Sequence, residues 1–185
     1  MRGLRSLVNF SHFALLGGLF FLTGCPTAQT DQSRVATILV DGAGSTSERC
    51  QTPANAEDAA ARVIELVNDI RRENGLEPLA VNLILTSVAE DYACQLIEDD
   101  FFAHVHPANG DGPAERAIDG GYLFLSVGEN LAGGQTSPEQ VVQEWMDSQG
   151  HREQILSAQW REIGVAVRVG GEYKVYWVQE FGNPP

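Results

Sequence analysis

The chain has 185 residues, 12 of them basic and 25 acidic, a formal net charge of −13, 43% hydrophobic residues and 8 prolines. That length leaves room for one ordinary domain with its own core, and the composition excludes a disordered polymer. So acidic a surface repels phosphate backbones, which removes nucleic acid from the expected partners.

Arg2 and Arg5 precede the apolar run Phe13 to Leu22 (FALLGGLFFL), with no acidic residue before Asp31. This is the pattern of a cleaved secretory leader over residues 1–24, because the run falls short of the roughly 20 apolar residues that cross a bilayer. Leu22-Thr23-Gly24-Cys25 resembles the lipobox of bacterial lipoproteins. The resemblance implies that Cys25 takes the acyl chains, which hold an extracytoplasmic protein to the membrane without a spanning helix. Pro26 stands where an inner-membrane retention aspartate would be sought, which favours the outer membrane in a cell that has two. Loss of the leader removes two arginines and leaves the remainder more acidic still.

Residues 25–55, rich in Thr, Ser, Gln, Ala and Gly, read as a lipid-anchored flexible linker. Within it Val35 to Val40 (VATILV) is apolar enough to dock as an extra strand, and the sequence leaves that open. With Cys25 assigned to lipid, Cys50 and Cys94 are expected to form a disulfide. An exported chain meets an oxidising compartment, and neither cysteine sits in a Cys-x-x-Cys motif.

A helix is expected from a cap at Asn55, with Glu57 and Asp58 in its first turn and Ala59, Val63, Leu66, Val67 and Ile70 on one face, up to a stop at Gly75. A second, over about Asn82 to Asp99, places Leu85, Val88, Ala89, Tyr92, Ala93 and Leu96 together. A Gly, Pro, Asn and His-dense loop from Phe101 to Pro113 leads to a short helical segment, Ala114 to Asp119. Gly128, Gly133 and Gly134 read as permissive turns rather than a phosphate loop. Ser137-Pro138-Glu139-Gln140 opens another helix running towards Gly150. Ile163, Val165, Val167 and Val169 then alternate, and Tyr173 to Phe181 returns as the partner strand of a hairpin with a two- or three-residue loop. The returning strand is apolar on both faces, which predicts an interior place under helices. Trp145 and Trp177 are expected in the core, with Trp160 open.

Five short motifs lie in order: Val67-Asn68-Asp69-Ile70-Arg71 with Gly75 to Leu79, Phe101-Phe102-Ala103-His104, Gly128-Glu129-Asn130-Leu131-Ala132, Trp145 to Arg152, and Trp177 to Gly182. Together they resemble the bacterial branch of the CAP superfamily, over residues 56–182. The resemblance implies an α/β fold, a three-layer α-β-α sandwich with a small central antiparallel sheet, and a cleft that gathers two histidines and two acidic residues. The matching positions are His104, Glu129 and His151. The fourth does not carry over: Ser148 stands at its place, with Asp147 beside it and pointing elsewhere on a helix.

Two imidazoles and a carboxylate are a plausible ligand set for a zinc-like divalent ion, and can equally act as general acid and base. Glu129 capping backbone groups, or His151 starting a short helix, would be the purely structural alternatives. His106 lies outside the pattern and is expected in solvent. The leading expectation is an envelope-anchored monomeric binding module for a metal ion, or for a lipid, sterol or cell-wall ligand. The alternatives are a protease-like hydrolase using His104, Glu129 and His151, or an inert adhesion domain. No Gly-x-Ser-x-Gly elbow or free cysteine supplies a nucleophile, so catalysis stays unassigned.

Overall fold

The computed structural model describes residues 49–185. The leader, Cys25 and Val35 to Val40 lie outside them. Helix α1 (Ala56–Glu73) buries Ala59, Val63 and Val67 along one stripe, with Glu57 and Asp58 at its positive end. It ends at Asn74 and Gly75, whose φ of 72° suits glycine. Arg71 does more than balance the helix dipole. It is 1% exposed, and it donates from Nε to the Glu77 carbonyl at 2.9 Å and from Nη1 to those of Ile155 and Ser157 at 2.8 and 2.9 Å.

Strand β1 (Ala80–Val81) is a short edge that the sequence pattern did not announce. Asn82 then caps α2 (Leu83–Glu98), its Oδ1 accepting from the Ile84 and Leu85 amides at 2.9 and 3.1 Å. Helix α3 (Pro113–Asp119) follows the His-bearing loop. Strand β2 (Ser126–Gly133) replaces the expected turn at Gly128 and Gly133. Gly128 is needed there because a Cβ would lie 2.6 Å from the Trp160 ring. Gly134, at φ 100°, is the actual turn.

Helix α4 (Pro138–Asp147) starts at Ser137, whose Oγ accepts from the Gln140 amide at 3.2 Å. A second helix, α5 (Gln149–Ile155), carries His151. Strands β3 (Glu162–Gly170) and β4 (Lys174–Asn183) form the hairpin, and Gly170 pairs with Lys174 to settle the loop at three residues.

The sheet order is β1-β3-β4-β2, antiparallel except for β1, which runs parallel to β3. The strands that are apolar on both faces are thus the inner ones. Helices α1, α4 and α5 cover one face with Trp145, Ile155, Trp160, Trp177 and Phe181, while α2 covers the other with Tyr92, Leu96 and Val178. Trp160, 3% exposed, stacks on Phe181 at 5.9 Å between centroids. Helix α2 lies so close to β3 that a Cβ on Gly164 would meet the Leu85 backbone at 2.2 Å.

Cys50 and Cys94 form the expected disulfide, and Gln51 exchanges two backbone hydrogen bonds with Val169 at 2.9 Å each. Cys50 and Gln51 are therefore already tied to the domain ahead of residue 56. Among the described residues no helix is long and apolar enough to cross a membrane.

Candidate functional site

β2 is an edge strand, so groups from both helical layers can meet across its free side. Residues 129 and 130 point to opposite faces of the sheet. On the α2 side, Glu129 lies almost fully buried, its side chain 1% exposed. Arg116 from α3 donates from Nη2 to Glu129 Oε2 at 2.5 Å. The same guanidinium gives Nη1 to the carbonyls of His104 and Asp111, both at 3.1 Å, and stacks 3.3 Å over the Tyr92 ring. Tyr92 in turn donates its hydroxyl to the Ala103 carbonyl. Burial raises that phenol to about 12, so it stays a donor. Arg116 thus ties the His104 loop to helix, strand and ring at once.

The other oxygen of Glu129 meets His104 Nδ1 at 2.7 Å. Since an ionised carboxylate only accepts, Nδ1 must carry the proton, which leaves Nε2 as the free nitrogen on a ring 52% exposed. Both oxygens of Glu129 are engaged by side chains, one by a cation and one by the imidazole. Its hydrogen bond is the main cause that raises the His104 pKa above the ordinary 6.5.

On the other face Asn130, fully buried, donates Nδ2 to the His151 carbonyl at 3.2 Å and to Gln179 Oε1 at 3.0 Å, pinning the first turn of α5 to β2 and β4. Burial, and then the charge of nearby His104, lower the His151 pKa. The two imidazoles accordingly sense one another, and their surroundings push their pKa values in opposite directions.

Sequence reasoning missed two groups. One is Arg116. The other is Glu180 on β4, the direct cross-strand partner of Glu129, with its side chain 1% exposed and Oε1 4.0 Å from Arg116 Nη2. Burial and the Glu129 charge raise its pKa well above 4.5, so it holds its proton where an ordinary glutamate has lost it. A second acidic side chain, supplied by a strand, therefore lies buried beside Glu129. A glutamate beside the apolar core of the run Tyr173 to Phe181 was the available signal. Asp147 is turned outward and accepts from Gln143 Nε2 at 2.9 Å. Ser148 caps α4 and makes no described hydrogen bond to the His151 ring.

His106 is not in solvent. It is 9% exposed, packs edge-on to Phe101 at 4.7 Å, and bonds Asp99 Oδ2 through Nε2 at 3.0 Å.

Among the described residues no group of three or more His, Cys, Asp or Glu side chains is placed to hold a metal ion. Glu129 stands behind His104 as the carboxylate that orients its ring. The donor set does not fit a closed four-ligand site.

Residues 64–181 match the cysteine-rich secretory protein family, CAP. YkwD of Bacillus subtilis (strain 168) is 33% identical over 143 residues, which is 75% of this chain and 54% of YkwD. A crystal structure of an extracellular protein containing an SCP domain, from Bacillus anthracis, has a TM-score of 0.63 and 26% identity, covering 69% of this chain and 41% of that one. An outer surface protein of Borrelia burgdorferi has a TM-score of 0.65 and 23% identity, over 70% of this chain and 95% of its own. The chain thus spans only about half the length of YkwD.

Proposed function

Because the chain belongs to the cysteine-rich secretory protein (CAP) family, we propose that it works outside the cytoplasm as a binding module whose His104–His151 cleft takes up a zinc-like divalent ion. The extracellular and surface settings named for the Bacillus anthracis and Borrelia relatives support the location. The lipobox-like Leu22 to Cys25 supports membrane attachment through an acylated Cys25, with the outer membrane favoured where there are two. Electrospray mass of the envelope-extracted chain checks this, and an unmodified Cys25 would reject it.

The observation that carries the binding reading is the relay Arg116–Glu129–His104. A buried carboxylate, itself fixed by a guanidinium, orients the ring and turns Nε2 outward. A ligating histidine commonly has such a carboxylate behind it, and the bond makes the free nitrogen more basic. His104 Nε2 and the His151 ring would hold the ion, which would act as a Lewis acid towards a bound carbonyl or carboxylate. Glu129 stays behind as the orienting group. Because the same bond raises the His104 proton affinity, protons compete with the ion, and uptake strengthens as pH rises through the His104 pKa.

Titration calorimetry of the whole chain with zinc chloride tests the reading. One site per chain is expected. It should be lost in His104→Ala and in His151→Ala, and weakened about 10–100-fold in Glu129→Gln. Stoichiometry untouched by both histidine changes would reject it.

The opposed pKa shifts favour a second reading, in which a protonated His104 and a neutral His151 act as acid and base of a hydrolase. Ester or peptide hydrolysis that survives chelation and is lost in His151→Ala would select it.

A further inference from the structure

Consecutive residues of β2 reach the two histidines from opposite faces of the sheet. Glu129 orients His104 on the α2 side, and Asn130 holds the His151 carbonyl on the α5 side. Strand register sets Glu180 opposite Glu129 and Gln179 opposite Asn130. Each face therefore carries a like pair, two carboxyl groups on one and two amides on the other.

The amide pair has a fixed sense. Asn130 Nδ2 donates to the His151 carbonyl at 3.2 Å and to Gln179 Oε1 at 3.0 Å. Because the carbonyl can only accept, a turned-over Asn130 would set oxygen against oxygen, and Gln179 must in turn present its own oxygen. Gln179 thereby holds Asn130 in the one orientation that grips α5. The pair also carries a cost that packing does not explain. Both residues are fully buried, yet Asn130 Oδ1 and Gln179 Nε2 meet no hydrogen-bond partner among the described residues. Apolar side chains, such as those of Ala132 and Trp177 on the next rung of the same face, fill the space without stranded polar atoms.

Helix α5 is anchored unequally. Its far end is held by the fully buried Ile155, whose carbonyl accepts from Arg71 Nη1 at 2.8 Å. At the near end Arg152 Nη1 reaches back to the Met146 carbonyl of α4 at 2.6 Å. Among the described side-chain bonds, only that of Asn130 ties the first turn of α5 to the sheet.

We propose that Asn130 and Gln179 are positioning residues for His151, setting it against the His104 that the neighbouring Glu129 orients. The inference rests on the His104–His151 reading above. Both imidazoles are referred to adjacent residues of one strand, so their separation is set by the sheet rather than by the loop and short helix that bear them.

The double variant Asn130→Leu with Gln179→Leu, made in the whole chain, tests the proposal. Replacing both partners of a buried hydrogen bond by apolar groups is close to neutral for stability, so the urea midpoint should equal or exceed that of the parent. In the metal-free chain, the NMR order parameters of the His151 and Arg152 amides should fall from about 0.85 towards about 0.6, while that of Ile155 holds. Affinity for zinc chloride by calorimetry should fall about tenfold. Gln179→Leu alone, which keeps the tie and removes the acceptor that orients it, should show a smaller loss of the same kind. A parent that takes up no zinc would reject the metal reading, and the His151 order parameter would still decide the positioning. An order parameter unchanged at His151 overturns the proposal, as does unaltered zinc affinity in a parent that binds the ion. A lowered urea midpoint with Ile155 loosened alongside His151 would mark the pair as plain structural support, and overturns it too.

Discussion

Arg116→Met puts the buried charge cluster to a quantitative test. The guanidinium is the described cation beside two carboxyls that are each 1% exposed, and the methionine keeps its packing on Tyr92 without the charge. Left with only the His104 imidazole, Glu129 must either remain ionised in the interior or take a proton. The second route sets the ceiling. Protonating a carboxyl of ordinary pKa about 4.3 at pH 7 costs about 1.36 kcal/mol per pH unit, or about 3.7 kcal/mol, and only about 1 kcal/mol at pH 5. The two lost bonds to the His104 and Asp111 carbonyls add about 1 kcal/mol at either pH. The variant should therefore lose about 4–5 kcal/mol at pH 7, within the usual cost of about 3–5 kcal/mol for breaking a buried pair from one side. For a folded part of this size that is about 15 °C in Tm. At pH 5 the deficit should shrink to about 2 kcal/mol, and Glu129→Gln added to Arg116→Met should restore much of the pH 7 loss. Urea denaturation followed by circular dichroism at the two pH values measures all four quantities. A deficit equal at pH 5 and pH 7, or below about 1.5 kcal/mol at pH 7, would refute the reasoning.

Glu180→Gln should act in the opposite direction. A carboxyl whose folded pKa is raised contributes fully below its unfolded value near 4.5 and loses that contribution as pH climbs towards the folded value. The variant should match the parent at pH 4 and exceed it at pH 8 in the same denaturation series. For the imidazoles, proton NMR of the ring Cε1 hydrogens should find His104 titrating above 6.5 and His151 below it, with Glu129→Gln bringing His104 down. The His104 share of stability is present below the unfolded pKa and fades as pH rises through the folded one. Gly164→Ala should cost about 1–3 kcal/mol by urea titration, because the new methyl meets helix backbone that cannot swing aside.

Local chemistry made much of this fold legible. Asn82, Ser137 and Gly75 mark helix ends with groups whose hydrogen-bonding or conformational roles are carried in a few residues, and the alternation from Ile163 to Val169 is a property of one strand. β2 was missed because its glycines were read as turns. In fact Gly128 is glycine to admit Trp160, which lies far along the chain. The same holds for the site. His104, Glu129 and His151 follow from motif order, but Arg116 sits in a helix of ordinary composition, and its meaning exists only where α3 crosses β2. Glu180 escaped because its partner is set by strand register, which no local pattern encodes.

The Cys50–Cys94 bond also decides how the domain bears mechanical load. A pull on the N-terminal arm reaches Cys50 and passes covalently into the middle of α2, so the hydrogen bonds of Gln51 to Val169 are shielded from unzipping. Traction on the arm is therefore delivered to a helix packed across the sheet, and the strands would have to shear together before any one of them could peel away.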